Sequence, residues 1–163
     1  MNSGPIEPVT ASVRVEAARE RAFGVFVGEL GRWWPLPYTC SGAEFATARI
    51  EAGEGGRWYE CDINGLETEW GTVRVFEPPQ RIVLAWTIGL YWRPEPPDCA
   101  SEVEIAFAGE DSNRTRIDVE HRDFDRHGGD AGQLRDMLAR GWPIALTSYR
   151  RFLDVLSGVA LDR

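Results

Sequence analysis

Two ionisable side chains, Glu60 and His121, are the main candidates for chemistry in this sequence. The two-residue alternation of their surroundings predicts that both point toward the apolar face of a β-sheet. A carboxyl group and an imidazole in one pocket can act as a general acid–base pair, or can orient the polar part of a bound molecule. They can equally form a buried structural pair, or Glu60 can pair with an arginine. The residue types leave these interpretations open.

Large aromatic side chains accompany the two candidates. Trp58 and Trp86 are predicted on the same sheet face, and Trp142 lies on the apolar stripe of the last helix. Such rings can stack on a planar or apolar ligand, and they also serve as ordinary core residues. The helix stripe further contains Gly141 and Ala145, and these small residues would leave space above a concave sheet.

Two aromatic pairs fall outside the predicted regular elements. Trp33-Trp34 and Tyr91-Trp92 are expected in connections near the mouth of such a cavity. They would act there as gate residues, or they would form an exposed patch for a protein partner.

Other kinds of catalytic site have little support in the sequence. The five residues that could ligate a metal lack CxxC or HxxxH spacing and predict no metal site: Cys40, Cys61, Cys99, His121 and His127. No nucleophile-elbow pattern is present, and the Gly53–Gly56 run lies between two strands and predicts a turn, not a phosphate loop. We therefore expect no cofactor.

Composition and charge restrict the class of protein. A length of 163 residues predicts one domain over residues 1–163, with a folded core over about 9–157. The net charge is −8 and the 18 basic residues are dispersed arginines, which disfavours nucleic acid as a partner. The sequence has no apolar run of the roughly 20 residues that cross a bilayer. No signal-peptide pattern is present and the three cysteines are scattered, so we expect a cytoplasmic protein without membrane insertion.

Hydrophobic periodicity predicts the elements that would position these residues. Period-2 alternation and turn residues predict seven strands, and 3.6-residue spacing predicts a helix over 17–27, a brief second helix ending at Pro35 and a long helix over 131–156. The predicted strands are 9–15, 44–51, 57–63, 67–76, 81–90, 101–107 and 114–121. One antiparallel sheet of this size needs a cover, and the last helix is the large amphipathic element available.

The Asn64-Gly65 dipeptide sets the predicted register, because both central positions of a two-residue hairpin turn need positive φ. This turn places Trp58 opposite Gly71. The inner face of the third and fourth strands then contains Trp58, Glu60, Glu69, Gly71, Val73 and Val75, and the outer face contains Tyr59, Cys61, Trp70 and Arg74. The later inner sets are Leu84, Trp86 and Ile88; Val103, Ile105 and Phe107; and Ile117, Val119 and His121.

Several short motifs in this order resemble a known family. They are GGRWYE at 55–60, Trp70-Gly71, EPPQRIVLAW at 77–86, SEVEIAF at 101–107, TRIDVEHRDF at 115–124 and Gly141-Trp142. The chain is similar over about residues 9–157 to the activator-of-Hsp90-ATPase homologue-like proteins of the SRPBCC superfamily. The resemblance implies an α+β helix-grip (START/Bet v 1-like) fold, with two short helices after the first strand. A curved sheet of about seven antiparallel strands would then wrap around the C-terminal helix and leave a cavity.

The resemblance implies no single activity, and three hypotheses follow. The first is a non-catalytic binding protein for a small hydrophobic or aromatic molecule, with Glu60 and His121 as polar anchors. Its cavity walls would be Trp58, Val73, Trp86, Ile105, Val119 and Trp142. The second is a cyclase-, hydratase- or hydrolase-like enzyme that uses Glu60 or His121. The third is a chaperone-accessory or stress-response interaction module with an exposed patch at Trp33, Trp34 and Trp92. An exposed sheet edge leaves homodimer formation open.

Overall fold

The computed structural model describes residues 5–158, and the order of its strands and helices follows the prediction. The elements are β1 (Val9–Val15), α1 (Arg19–Gly28), α2 (Leu30–Trp33), β2 (Phe45–Ile50), β3 (Arg57–Asp62), β4 (Glu67–Glu77), β5 (Arg81–Trp86), β6 (Ser101–Asp111), β7 (Arg114–Arg122) and α3 (Ala131–Leu156). Short 3₁₀ turns at Leu36–Tyr38, Gly42–Glu44, Pro97–Cys99 and Phe124–Asp130 lie in the connections.

The seven strands form one antiparallel sheet in the order β1-β7-β6-β5-β4-β3-β2. The amphipathic helix α3 packs against β1 and against α1 and α2, which cover the remainder of the same sheet face. Apolar side chains from the inner sheet face and from the three helices together form one core. The predicted helix-grip fold is confirmed, and the observed bounds of β1 and α3 equal the predicted ones.

The inner face of the later strands is also confirmed. Every residue predicted there on β5, β6 and β7, and Ile88 just after β5, is buried. The opposite face carries paired charges, with Arg122 contacting Glu102 at 2.7 Å, and Glu104 and Glu120 each at 2.8 Å. These ion pairs are partly exposed to water, so each contributes little to stability.

The predicted two-residue turn between β3 and β4 is wrong. The connection is a four-residue loop over 63–66, in which Asp62 Oδ1 accepts the backbone N–H groups of Asn64 at 2.8 Å and Leu66 at 2.9 Å. An aspartate that bonds the backbone two residues ahead favours this looser turn over the tight one. The ladder therefore begins with Cys61 opposite Glu67.

A β-bulge corrects this shift in register within the strand pair. Trp58 still lies opposite Gly71, but Tyr59 lies opposite Glu69, so Trp70 is the extra residue of β4. The bulge turns Trp70 into the core and leaves Glu69 exposed, which reverses the predicted faces of both residues. A second bulge between Val73 and Val75 places Phe76 opposite Ile82, where its ring contacts Phe23, so Val75 is not on the predicted inner face.

Candidate ligand-binding site beneath the C-terminal helix

Five tryptophans fill the space between the sheet and α3. Trp34 lies at the centre of this tryptophan cluster, and its ring centroid is 5.2 to 6.5 Å from those of the other four. These are Trp58, Trp70, Trp86 and Trp142. Because α2 ends at Trp33 and the chain then turns inward, Trp33 is 2% and Trp34 is 8% exposed. The expected exposed patch at these two residues is therefore wrong.

The tryptophan cluster leaves little empty space in this conformation. A cleft of about 10 Å³ remains beneath α3, which is about the volume that one water molecule needs. It is lined by Trp34, Tyr38, Trp86, Leu138, Gly141, Trp142 and Ala145. The sequence predicted an open cavity here, and this prediction is wrong for the described conformation because Trp34, expected in a loop, occupies the space.

The predicted wall residues all lie on the buried inner face. Trp58, Val73, Trp86, Ile105, Val119 and Trp142 are each at most 2% exposed. Trp86 and Trp142 line the cleft, and the other four pack in the core around it. The small residues Gly141 and Ala145 do leave the gap that their pattern indicated, whereas Trp34 and Tyr38 were not identified as wall residues because they follow α2 in an irregular segment.

Tyr38 covers the cleft from the side of this segment. Its ring lies against Gly141, where an added Cβ would sit 2.8 Å from Tyr38 Cε1. The centroid of its ring is 5.8 Å from that of Trp92, and the Trp92 centroid is 6.4 Å from that of Trp86. Trp92, which contacts the lining residues Tyr38 and Trp86, is half-buried. Its neighbour Tyr91 is 73% exposed.

Glu60 is a buried carboxylate surrounded by donors from the protein. Oε1 accepts Trp70 Nε1–H at 2.8 Å and the Cys40 N–H at 2.6 Å, while Oε2 accepts the Ser41 N–H at 2.8 Å and the Ser41 hydroxyl. Burial, together with the nearby Glu60 charge, raises the pKa of the Cys40 thiol to about 12. Cys40 is therefore a poor nucleophile. The arrangement ties the segment after α2 to β3 and β4.

His121 lies in a different polar cluster, in the core beside Trp86. Its Nδ1 accepts the indole N–H of Trp142 at 3.1 Å, and its Nε2 lies 2.7 Å from Ser101 Oγ. Burial lowers the pKa of His121 well below its usual value, and the neighbouring His127 adds to this effect. A neutral imidazole whose Nδ1 is an acceptor carries its proton on Nε2, so His121 donates to Ser101.

The same hydrogen-bonded chain continues toward the surface. Ser101 Oγ lies 2.8 Å from His127 Nε2, and His127 Nδ1 lies 2.7 Å from Glu95 Oε1. Sequence reasoning considered His127 only as a metal ligand and identified neither Ser101 nor Glu95. The available signal was the position of Ser101, two residues before the inner-facing Val103 on the same strand.

Glu60 and His121 therefore have different partners. Within residues 5–158 they share no hydrogen bond, and Glu60 has no ion pair with an arginine, so the expected direct pairings are wrong. No three His, Cys, Asp or Glu side chains in that range are grouped to hold a metal ion. None of the described helices has the length and apolarity to cross a membrane.

Comparison with known proteins identifies the family. Residues 16–154 match the family model described as activator of Hsp90 ATPase homolog 1-like protein. An anthrahydroquino-γ-pyrone synthase, Txn09, solved in complex with SUM, is 34% identical; the alignment covers 90% of this chain and 97% of that one, with a TM-score of 0.66. CalC, a self-sacrificing resistance protein from Micromonospora echinospora, is 31% identical, with coverages of 95% and 97% and a TM-score of 0.66.

More distant structures share the fold alone. NE0264 from Nitrosomonas europaea is 14% identical over 97% of this chain and 99% of that one, with a TM-score of 0.65. The search of curated proteins found no match. Because the family model spans most of the chain and two relatives exceed 30% identity over nearly its whole length, the chain belongs to the activator-of-Hsp90-ATPase homolog 1-like family.

Proposed function

We propose that the protein binds a small, neutral, planar aromatic molecule beneath α3, at the cleft lined by Trp34, Tyr38, Trp86 and Trp142. The observation that carries the proposal is the Tyr38 ring, which occupies the space over Gly141 without being fully buried. A ligand ring of similar size can replace Tyr38 there and stack among the tryptophans.

The chemistry of the lining favours this ligand class. None of the seven lining residues is charged. The indole N–H groups of Trp86 and Trp142 are already bonded within the protein. Trp86 donates to Ile88 O at 2.7 Å and Trp142 donates to His121. With a net charge of −8, the protein also repels anions. A neutral, mainly apolar ring therefore fits this site better than an anionic metabolite.

The relatives point in the same direction. One is described as an anthrahydroquino-γ-pyrone synthase complexed with SUM, and the other is described as a self-sacrificing resistance protein. The description of the synthase supports an aromatic ligand in this chain, and we propose binding, with no reaction assigned.

The contacts of the candidate residues do not favour the two other hypotheses. Glu60 and His121 are each bonded to separate protein groups, and both nitrogens of His121 are occupied. The interaction-module hypothesis required exposed tryptophans, and Trp33 and Trp34 are buried. In our proposal Glu60 and His121 position the walls of the site and do not contact the ligand.

A fluorescence titration with N-phenyl-1-naphthylamine, a neutral aromatic probe, tests the proposal. We expect the wild type to bind the probe, and Ala145→Leu, which fills the cleft, to weaken binding by at least about tenfold. Gln133→Leu adds the same apolar side chain at an exposed position of α3 and should bind as the wild type does. Absence of binding to the wild type, or equal binding by Ala145→Leu, would refute the proposal.

A further inference from the structure

We propose that residues 89–96, the lid, open to admit the ligand and that the Glu95–His127 side-chain pair holds them closed. The role of the opening rests on the proposed binding function, but the opening itself can be measured without a ligand. The lid emerges between two fully buried residues, Ile88 and Ala100, which fix its ends to the core.

The lid keeps Tyr38 in the cleft. The Tyr38 ring contacts Trp92 of the lid and also lies against Gly141 of α3, so both elements restrict its movement. Trp92 has a φ of 59°, a left-handed conformation that is unfavourable for a bulky side chain. The closed lid is therefore strained at the residue that makes this contact, and opening would release both the strain and Tyr38.

Hydrogen bonds within the lid indicate that it moves as a unit. Gly89 N–H donates to Arg93 O at 3.0 Å, and Trp92 N–H donates to Gly89 O at 3.1 Å. The attachment to the preceding residues is the Glu95 N–H bond to Thr87 O, at 2.9 Å, together with the Ile88–Pro94 bridge. Across the described part of the chain, Glu95–His127 is the one side-chain hydrogen bond that joins the lid to a distant segment.

The Glu95–His127 contact is short and mostly shielded from water. The two side chains meet at 2.7 Å, with His127 almost fully buried and Glu95 31% exposed. Glu95 reaches His127 by crossing directly over Gly89, where any Cβ would collide with the carboxylate. A side chain at position 89 would therefore push the Glu95 carboxylate away from its present position.

The contact also connects the lid to the wall of the site. Trp142 donates to His121, and His121 donates to Ser101, whose hydroxyl lies 2.8 Å from His127 Nε2 and 3.4 Å from the Trp86 carbonyl oxygen. His127 Nδ1 faces the Glu95 carboxylate, which is an acceptor, so Nδ1 carries a proton and donates it to Glu95. The five groups form one continuous hydrogen-bonded chain from Trp142 in the cleft wall to Glu95 on the lid.

A serine bonded to a histidine that is bonded to a carboxylate also resembles a catalytic triad. Two features oppose a nucleophilic Ser101. The residue is 0% exposed, and Glu95 belongs to the segment that encloses it. Moving the lid to uncover the site would separate Glu95 from His127, so the triad would be lost when a substrate could reach it. We therefore assign the arrangement to closure of the lid.

Hydrogen exchange measured by mass spectrometry tests the proposal in the ligand-free protein. In Glu95→Ala, peptides covering 89–95 should exchange at least about fivefold faster than in the wild type, because a hydrogen bond to a charged group is lost. Asp98→Asn is the matched control, since it removes an exposed carboxylate near the lid and should leave exchange unchanged. Peptides from β6 and β7 should keep wild-type rates in both variants.

Unchanged exchange in the lid of Glu95→Ala would overturn the proposal. A parallel increase across β6 and β7 would also overturn it, because the pair would then hold the whole domain and not the lid. Labelling of Ser101 by a fluorophosphonate in the wild type would overturn it in favour of a nucleophile.

Binding kinetics then separate the lid from the proposed ligand site. In stopped-flow mixing with N-phenyl-1-naphthylamine, Glu95→Ala should associate at least about fivefold faster, since more molecules are open. An unchanged association rate would overturn the lid as the route to the site. Faster lid exchange in a protein that binds no probe would refute the proposed ligand while confirming that Glu95 closes the lid.

Discussion

The two halves of the cover over the tryptophan cluster are attached in different ways. The segment after α2 is fixed by Glu60, which accepts hydrogen bonds from two backbone N–H groups, a hydroxyl and an indole. The lid is fixed by Glu95, which has one side-chain partner, His127, and is partly exposed to water. A buried carboxylate with several donors is costly to disrupt, whereas a single bond near water is not. One half is therefore an anchor, and the other can open.

The largest expected effect tests the anchor. In Glu60→Gln the amide NH₂ group replaces one carboxylate oxygen and faces the N–H donor of either Cys40 or Ser41 in a buried site, so at least one polar group loses its partner. We expect the free energy of unfolding to fall by about 3 kcal/mol. Urea denaturation followed by circular dichroism measures it.

Glu69→Gln is the control for this measurement, because Glu69 is an exposed glutamate on the neighbouring strand. It should change stability by less than about 0.5 kcal/mol. A Glu60→Gln protein as stable as the control would show that Glu60 does not anchor the segment.

The next effect tests the chain that joins the lid to Trp142. Ser101→Ala removes the hydroxyl between His121 and His127, so two buried imidazoles lose a hydrogen-bond partner. We expect a loss of about 2 kcal/mol of stability by urea denaturation. Ser112→Ala, at an exposed turn, should have no measurable effect. An equally small effect at Ser101 would mean that the chain does not stabilise the closed state.

Acid should lower the stability of the protein, because His121 takes up a proton more readily in the unfolded chain than in the folded one. The folded protein holds His121 neutral with a lowered pKa, while the unfolded chain takes up a proton below the ordinary value of 6.5. Stability is therefore fully present above that pH and falls below it, by about 1.4 kcal/mol between pH 8 and pH 5.5 for this one site. The difference in unfolding free energy between the wild type and His121→Gln should shrink by that amount. A difference independent of pH would contradict a neutral buried His121.

The sequence was sufficient to predict the fold, the order of strands and helices along the chain, and the inner faces of β5, β6 and β7. Alternation in these strands is unbroken, so Leu84, Ile105 and Val119 mark one face without ambiguity. Alternation failed at the two bulges of β4, because an inserted residue changes the face of every residue beyond it. Trp70 was misplaced for this reason, and its bond to Glu60 could not be anticipated.

The candidate site was harder to predict than the fold because its cover is irregular. Tyr38, Trp92 and Glu95 lie in segments without helix or strand periodicity, and their contacts depend on how two distant segments meet. Glu60 and His121 were identified as buried polar residues, but their partners Ser41, Ser101 and Trp142 come from other parts of the chain. Periodicity predicts which face a side chain occupies and not which atom it meets.

The smallest expected effect on stability is that of Glu95→Gln in the lid, and it can be compared directly with the effect of Glu60→Gln. Glu95→Gln is the same chemical change as Glu60→Gln, made at a hydrogen-bonded carboxylate that is 31% exposed. The glutamine amide oxygen can still accept from His127, and water can solvate the remainder, so unfolding free energy should fall by less than about 1 kcal/mol. Hydrogen exchange of the lid should nevertheless increase. If Glu95→Gln destabilised the protein as much as Glu60→Gln, the lid would unfold only with the whole domain, and the two halves of the cover would not differ.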